Sequence, residues 1–510
     1  MSIDCPKISL CMIVRDEARQ LVDCLEPVAR LFDEVVIVDT GSRDETPQIA
    51  ARYARCVVPF TWCDDFAAAR NESLRHARGE WIFWLDADDR LAAEQVAKLK
   101  QLLRGLDDRP RAYLMETVCP ARFACEGVHL LTHVRLFRRH PELRWRGRVH
   151  EQLRPPLESL GYELVHSDVQ IEHVGYRDAA ARQRKLQRDL RLLRMDYAVD
   201  PHDVSTRLHL GMTCFQLGRF AEAQQQLRNV LQQAKTKSPD GKQVALSDQA
   251  HLRQVYAALA EIAIRRGQPR EALGVLGEGL ANFPDDEYLR YLMAESHYLL
   301  DEFPRARQAL ETLLAQPAGS RYHGGVPGQI RELMAPRKLA DTLRLEGRLA
   351  DAEAVLRSLV DRFPRDTHSW HTLGRVYIDA GDRARLEQVV AHLQACPQGE
   401  IFATLLESVW CLRWGPQEQA GSHIDRAIAL APQMPLARVL RAEWLMAIGA
   451  PRDACIQALK DVLRVQPGHQ EARQLLDRWL ASAEPVGCDL AGWFTTVVAG
   501  EGLPGHPPAA

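Results

Sequence analysis

The apolar positions change period once along the chain. Up to about residue 178, short unbroken apolar runs alternate with amphipathic stretches; beyond about 200 the runs stop and helical spacing takes over. Ile8 to Val14 reads as a buried strand, followed by a helix near Leu21 to Phe32 with Leu21, Leu25, Val28 and Leu31 on one face. Glu34 to Asp39 is a second strand, leading through the turn Thr40 to Asp44 into a helix with Pro47 in its first turn. Cys56 to Pro59 is a third strand, with a helix over Phe66 to His76. Trp81 to Leu85, bulky and without polar alternation, predicts a strand covered on both faces. Strand and helix in alternation predict a doubly wound α/β domain, which the segment from Ala112 to Tyr176 completes.

A parallel sheet collects the carboxyl ends of its strands on one edge, where ligands bind. Here each strand ends in a polar or acidic cluster: Arg15-Asp16-Glu17, Asp39-Thr40-Gly41-Ser42, Asp64-Asp65, and Asp86, Asp88 and Asp89. One aspartate is enough to cap the helix expected near Leu91. Three within four residues repel one another unless a cation is present, and clustered oxygen donors suit a hard divalent ion that bridges phosphates. Neither a G-x-G-x-x-G crossover nor a Walker lysine loop is present, so a dinucleotide fold and a P-loop have little support.

The set Met12 to Glu17, Val38 to Ser42, Asp65 to Asn71 and Leu85 to Asp89 resembles glycosyltransferase family 2, of the inverting GT-A type. It is most similar to the branch in which that domain precedes tetratricopeptide repeats, the sublancin-type peptide S-glycosyltransferases. The resemblance implies a GT-A, Rossmann-like nucleotide-sugar fold followed by an all-α solenoid, a UDP-linked sugar donor and a divalent metal, Mn2+ or Mg2+. It implies that Asp39 contacts uracil, that Arg70 and Asn71 line the base and diphosphate, that Asp86 lies near the ribose and that Asp88 is the principal metal ligand. Arg15 and Glu17 stand at the donor-binding first motif, where the branch usually has Lys-Asn before the glutamate; Arg15 keeps the charge but not its shape. Structural alternatives are a turn acid for Asp39, a helix cap for Asp65 and a surface salt bridge for Arg70.

Two later elements, Trp145 to Gln152 and Ile171 to Tyr176, are similar to the branch's His-Glu-Gln and His-x-Gly-Tyr elements. Inverting transfer needs a base for the acceptor proton, and Glu151 is the candidate, with a plain ion pair to Arg148 or Arg146 as the alternative. If the acceptor is a thiol, that base has less to do, because cysteine is already partly ionised near neutrality. His173 is a candidate to complete the metal shell or hold a phosphate. Trp145 and His150 are candidate acceptor contacts, Trp145 being equally at home in a core.

The second half repeats. Gly267 and Asp301, and then Gly347, Gly381, Gly415 and Gly449, mark one inter-helix turn every 34 residues, the tetratricopeptide period. Alanine follows five positions on at 272, 306, 352, 420 and 454, with Leu386 the exception, and Trp370-x-x-Leu373-Gly374-x-x-Tyr377 fits the first-helix signature. With an earlier turn at Gly218 the count is about seven. Insertions are expected near 235–249 and 318–330, and Trp410, Trp414 and Trp444 are expected in the core. The expected division is a GT-A domain over 1–178, a linker helix over 179–199, a solenoid over 200–483 and a largely disordered tail over 484–510.

The net charge of -3 gives no general attraction to nucleic acid. The apolar run Ile8 to Val14 is too short, and too soon followed by charges, for a signal peptide or membrane span. Twelve cysteines without a C-x-x-C pair read as reduced thiols of a cytoplasmic protein. A solenoid offers a groove for a peptide or protein acceptor, a homodimer contact or an assembly partner. A glycan or lipid-linked acceptor, and a repeat scaffold with an inactive first domain, are the alternatives.

Overall fold

The computed structural model describes residues 7–119, 129–174, 179–235, 249–316, 330–466 and 470–481. The two expected insertions fall almost wholly outside the described residues, as does the tail from 484. The apolar runs of the first domain become strands where the sequence places them: β1 (Ile8–Val14), β2 (Glu34–Asp39), β3 (Cys56–Pro59) and β4 (Trp81–Trp84). They pair in parallel in the order β3-β2-β1-β4, with Val14 opposite Asp39 and Cys11 opposite Trp84, so their carboxyl ends share one edge. Alternate side chains feed two cores, Leu10, Met12, Trp81 and Phe83 on one face and Cys11, Ile82 and Trp84 on the other. That explains the absence of polar alternation.

The intervening helices are α1 (Ala18–Leu25), α2 (Thr46–Ala50), α3 (Phe66–His76), α4 (Ala93–Arg104) and α5 (Arg154–Ser159). The helix expected over 21–32 stops at Leu25 because Pro27 cannot continue it, and Ala29–Leu31 is a separate 3₁₀ turn. The helix expected near Leu91 starts at Ala93 behind Ala92, without a side-chain cap. The aspartates after β4 are therefore not its cap. The sheet is completed by β5 (Asp89–Arg90), β6 (Arg111–Cys119), β7 (His129–Arg138) and β8 (Glu163–His173), giving the order β3-β2-β1-β4-β7-β6-β8-β5. Antiparallel pairing of β5 with β8 sets Asp89 opposite His173.

The chain divides into two compact units, the first of which reaches Val255. It takes in α6 (Ala179–Val199), α7 (Val204–Gln216) and α8 (Phe220–Lys235). The expected linker helix α6 is clamped to the sheet domain: Arg191 grips Asp64 through Nη1 and Nη2 (2.6 and 2.7 Å), Arg188 lies over the Phe66 ring, and Asp196 pairs with Arg148. Asp64 is thus taken up by α6, while Asp65 caps α3 by accepting the Ala68 N–H (2.8 Å). This acidic pair serves the framework and not the carboxyl-edge cluster.

The second unit begins within the helix Gln249–Arg265 and is helical throughout its described residues. The marked turn residue adopts the left-handed conformation at Gly218, Gly267, Gly347, Gly381 and Gly449, and Asp301 takes it at φ 57°. Gly415 departs, because Pro416 follows it and restricts the residue before a proline. Ala272, Ala306, Ala352 and Ala420 are fully buried as expected, and Leu386 fills the same place. In the last pair the helix starts one position later, so Cys455 and not Ala454 occupies the small buried position. Trp414, expected in the core, is 57% exposed, its Nε1–H donating to the Ile378 carbonyl (2.8 Å). Among the described residues no helix is long and apolar enough to cross a membrane.

Gly79 marks where close approach fixes the start of β4. A Cβ there would lie 2.6 Å from the Ser9 backbone nitrogen and 2.9 Å from the Lys7 carbonyl oxygen, neither of which can give way alone. Gly79→Ala is expected to cost about 1–3 kcal/mol, read as a lowered urea midpoint with an unchanged slope.

Candidate active site

The turn after β4 is locked from within. The Asp89 N–H donates to the Asp86 carbonyl (3.0 Å) and the Asp86 N–H donates to Asp89 Oδ2 (2.9 Å). Asp89 has no solvent exposure, and its carboxylate also accepts from Arg135 Nη1 (2.7 Å) and contacts His173 Nδ1 (3.0 Å). Arg135 in turn donates to Thr117 Oγ1 (3.1 Å) and lies over the Trp84 indole, 3.9 Å from its centroid. With Nδ1 turned to Asp89, His173 presents Nε2 to Asp88 Oδ2 at 3.4 Å. A carboxylate on one ring nitrogen orients the other toward a metal, and Asp89 is placed for that task. Asp86, Asp89 and His173 each bring a ligand atom within 4.8 Å of the others. Asp89's oxygens are engaged within the protein, and the donor atoms that stand with it are those of Asp86 and His173, with Asp88 Oδ2 3.4 Å from His173 Nε2.

Arg70 organises the other side. Projecting from α3, it is buried, lies over Trp84 at 4.2 Å, and donates from Nη2 to Asp86 Oδ1 (2.9 Å) and from Nε to Glu151 Oε1 (2.5 Å). It is not the surface salt bridge that was the alternative. Glu151 is correspondingly paired with Arg70, while Arg148 pairs with Asp196. Asn71 lies one residue on, but its Oδ1 accepts the Trp145 N–H (2.8 Å) and its Nδ2 donates to the Trp145 carbonyl (3.0 Å). Asn71 thereby holds the Trp145 backbone. Trp145 itself is buried edge-on against Trp84, 5.3 Å between centroids, with Arg70 over its ring. This is the core placement that was the alternative to an acceptor contact. His150 sits at φ 52° and stacks on His209 of α7.

On the β1 and β2 side, Asp39 accepts from the Ser42 hydroxyl (2.5 Å) and N–H (3.2 Å), the turn-acid arrangement, at the end of β2 beside β1. Arg15 is exposed, 3.9 Å from Asp16. The Glu17 carboxyl is pushed up to about 7, first by burial and then by repulsion from Asp88, Asp86 and Asp44, which Arg90 only partly offsets. Asp88 is raised as well, by burial against the attraction of His173 and with the repulsion of Asp86 and Asp89. For Asp86 burial pulls the same way, but Arg70 and Arg135 outweigh it and hold the carboxyl well below its usual range. His173 is raised because the hydrogen bond to Asp89 and the surrounding aspartates overcome burial. The carboxyl edge therefore carries a surplus of negative charge around Asp88 and Glu17. Oxygen donors with one imidazole are a fitting set for a hard divalent cation. Asp89, Arg135 and Trp84 were not among the site residues expected from sequence; only the third acid of the triplet signalled the first of them.

Residues 9–113 match the model of Glycosyl transferase family 2, and Tetratricopeptide repeat models match 263–326, and 204–229 with 337–358. The chain carries a glycosyltransferase family 2 domain followed by tetratricopeptide repeats. A TPR repeat-containing protein of Synechococcus elongatus is 35% identical over 236 residues, 45% of this chain and 57% of its own length. The SPbeta prophage-derived glycosyltransferase SunS of Bacillus subtilis is 23% identical over 273 residues, 52% of this chain and 60% of its own length. The chain thus spans under two thirds of these relatives. A solved tetratricopeptide repeat protein from Parabacteroides merdae aligns with a TM-score of 0.41 at 15% identity, over 52% of this chain and 94% of its own.

Two neighbouring aspartates should respond oppositely to removal. Asp88→Ala takes away a carboxylate repelled by its neighbours, so the urea midpoint in metal-free buffer should hold or rise. Asp89→Ala leaves Arg135 buried without its anion and should cost about 3–5 kcal/mol. A pH series checks the charge surplus. Glu17 titrates near 4.5 unfolded and about 7 folded, so its contribution is fully present below pH 4.5 and is lost as pH rises to about 7. Glu17→Gln should flatten that part of the metal-free stability profile.

Proposed function

We propose that the chain is a metal-dependent inverting glycosyltransferase that moves a sugar from a UDP-linked donor to a peptide or protein acceptor recruited by the repeats. The observation that carries this reading is the cluster of acids gathered with one imidazole at the sheet edge, Asp86, Asp88 and Asp89 around His173, whose Nε2 lies 3.4 Å from Asp88 Oδ2. Asp88 and His173 would hold Mn2+ or Mg2+, which when bound offsets the charge developing on the departing diphosphate. Asp39, held by Ser42 at the end of β2, would accept from the nucleobase, and Asp86, anchored by Arg70, from the ribose. Arg15, exposed beside the edge, would supply a cation for the phosphates. Glu151 would take the acceptor's proton as the acceptor atom bonds to the anomeric carbon and the bond from that carbon to the diphosphate oxygen breaks; a single displacement inverts the centre. The peptide or protein acceptor is supported by the resemblance to peptide S-glycosyltransferases and by the repeats.

Calorimetry tests the donor half. UDP should bind with Mn2+ or Mg2+ present and not after chelation, and Asp88→Ala should abolish the metal-dependent part while leaving the fold intact. If no nucleoside diphosphate bound in a metal- and Asp88-dependent way, the proposal would be abandoned. For the acceptor half, intact masses of host proteins expressed with and without the chain should differ by a hexose-sized increment; transfer to extracted glycolipid alone would move the acceptor to a lipid-linked glycan.

A further inference from the structure

The loop that carries Glu151 is closed on itself. The Arg146 N–H donates to the Gln152 carbonyl (3.1 Å) and the Gln152 N–H to the Arg146 carbonyl (2.8 Å). Within it His150 is left-handed at φ 52°, a conformation that a residue with a Cβ keeps only where its surroundings hold it. The result is that neighbouring side chains face two ways. Glu151 reaches α3 and Arg70. Its flanking residues reach α6 and α7 instead: the Arg148 N–H donates to Asp196 Oδ2 (2.9 Å) with Nε 3.2 Å from Oδ1, His150 lies face to face with His209 at 4.3 Å and 6°, and Gln152 Nε2 donates to Ser205 Oγ (2.9 Å).

We infer that Asp196, Ser205 and His209, all outside the span that matches the glycosyltransferase family, are positioning residues for Glu151, so that the linker helix and the first repeat belong to the catalytic unit. The inference rests on Glu151 being the base of the proposed reaction. The α6 helix is also held by Arg191 on Asp64, a pair in which neither residue belongs to the loop, so the contacts of Asp196, Ser205 and His209 with the loop come in addition to it. Nor does His209 act through a hydrogen bond: its Nε2 is buried with no partner among the described residues, so what it offers is a ring face. Burial, with His150 and His251 adding to it, keeps that ring neutral, which lets two imidazoles stack without charge repulsion.

The test uses the full chain with Asp196→Ala, Ser205→Ala and His209→Ala, singly and combined. His209→Phe is the conservative replacement, and Arg194→Ala, which removes an α6 to α8 tie to Glu222, is the control. Three quantities are read: calorimetric binding of UDP with Mn2+, turnover of UDP-glucose and UDP-N-acetylglucosamine against host protein extract, and amide exchange across 146–152. The combined variant is expected to lose about tenfold to a hundredfold in kcat, with UDP affinity and KM for the donor unchanged and faster exchange confined to the loop. His209→Phe should restore most of what His209→Ala loses, and Arg194→Ala should change none of the three. Unchanged kcat and loop exchange in the combined variant would overturn the inference, and so would loss of kcat in step with UDP affinity. Should the wild-type chain bind no nucleoside diphosphate, the functional reading fails separately, and exchange at 146–152 still decides whether these helices hold the loop.

Discussion

The site depends on one buried ion pair, Arg135 with Asp89. Both groups are out of water, and a charge in that position is tolerated only while its partner and hydrogen bonds are in place. Every bond that satisfies Asp89 also fixes something else: the Asp86 N–H closes the turn, His173 is set in one orientation, and β5 is held in register with β8. Arg135 is supported in turn by the Trp84 face and Thr117. These protein contacts fix the acids from within the fold, and fixed groups of this kind are what electrostatic stabilisation draws on.

Around this pair the same short turn gives two carboxylates opposite acidities. Asp86 lies against Arg70 and is held strongly acidic, whereas Asp88, two residues on, meets a histidine and other carboxylates and is raised. Environments that push neighbouring groups apart separate their roles. A permanently ionised Asp86 suits a fixed hydrogen-bond acceptor, and an under-compensated Asp88 suits a cation. Arg70 joins this acidic turn to the Glu151 loop, so the donor side and the proposed base share a single guanidinium.

The repeats enter at two levels. Beyond Tyr256 the left-handed turn residues and the small buried positions set helix against helix with a regular spacing, and local departures follow local causes, such as Pro416 after Gly415. Before Val255 the first pair lies within the same compact unit as the sheet domain and supplies side chains to the Glu151 loop. A boundary drawn from the change of hydrophobic period therefore falls in front of residues on which the site leans.

The sequence by itself determined the parallel strands, the edge on which their acids gather, the helix Phe66–His76 and the repeat turns, because each follows from interactions among residues close in the chain: burial period, proline and glycine constraints, capping. Its motifs also pointed to Asp86, Asp88 and His173 as candidates. Only the tertiary structure decided which groups meet. It paired Glu151 with Arg70 rather than with its neighbours Arg146 or Arg148, buried Trp145 against Trp84, took Asp64 for α6, and made Asp89 the anchor of His173 from 84 residues away. A buried charge takes whatever counter-ion the packing of distant elements brings to it, and the spacing of residues along the chain holds no record of that choice.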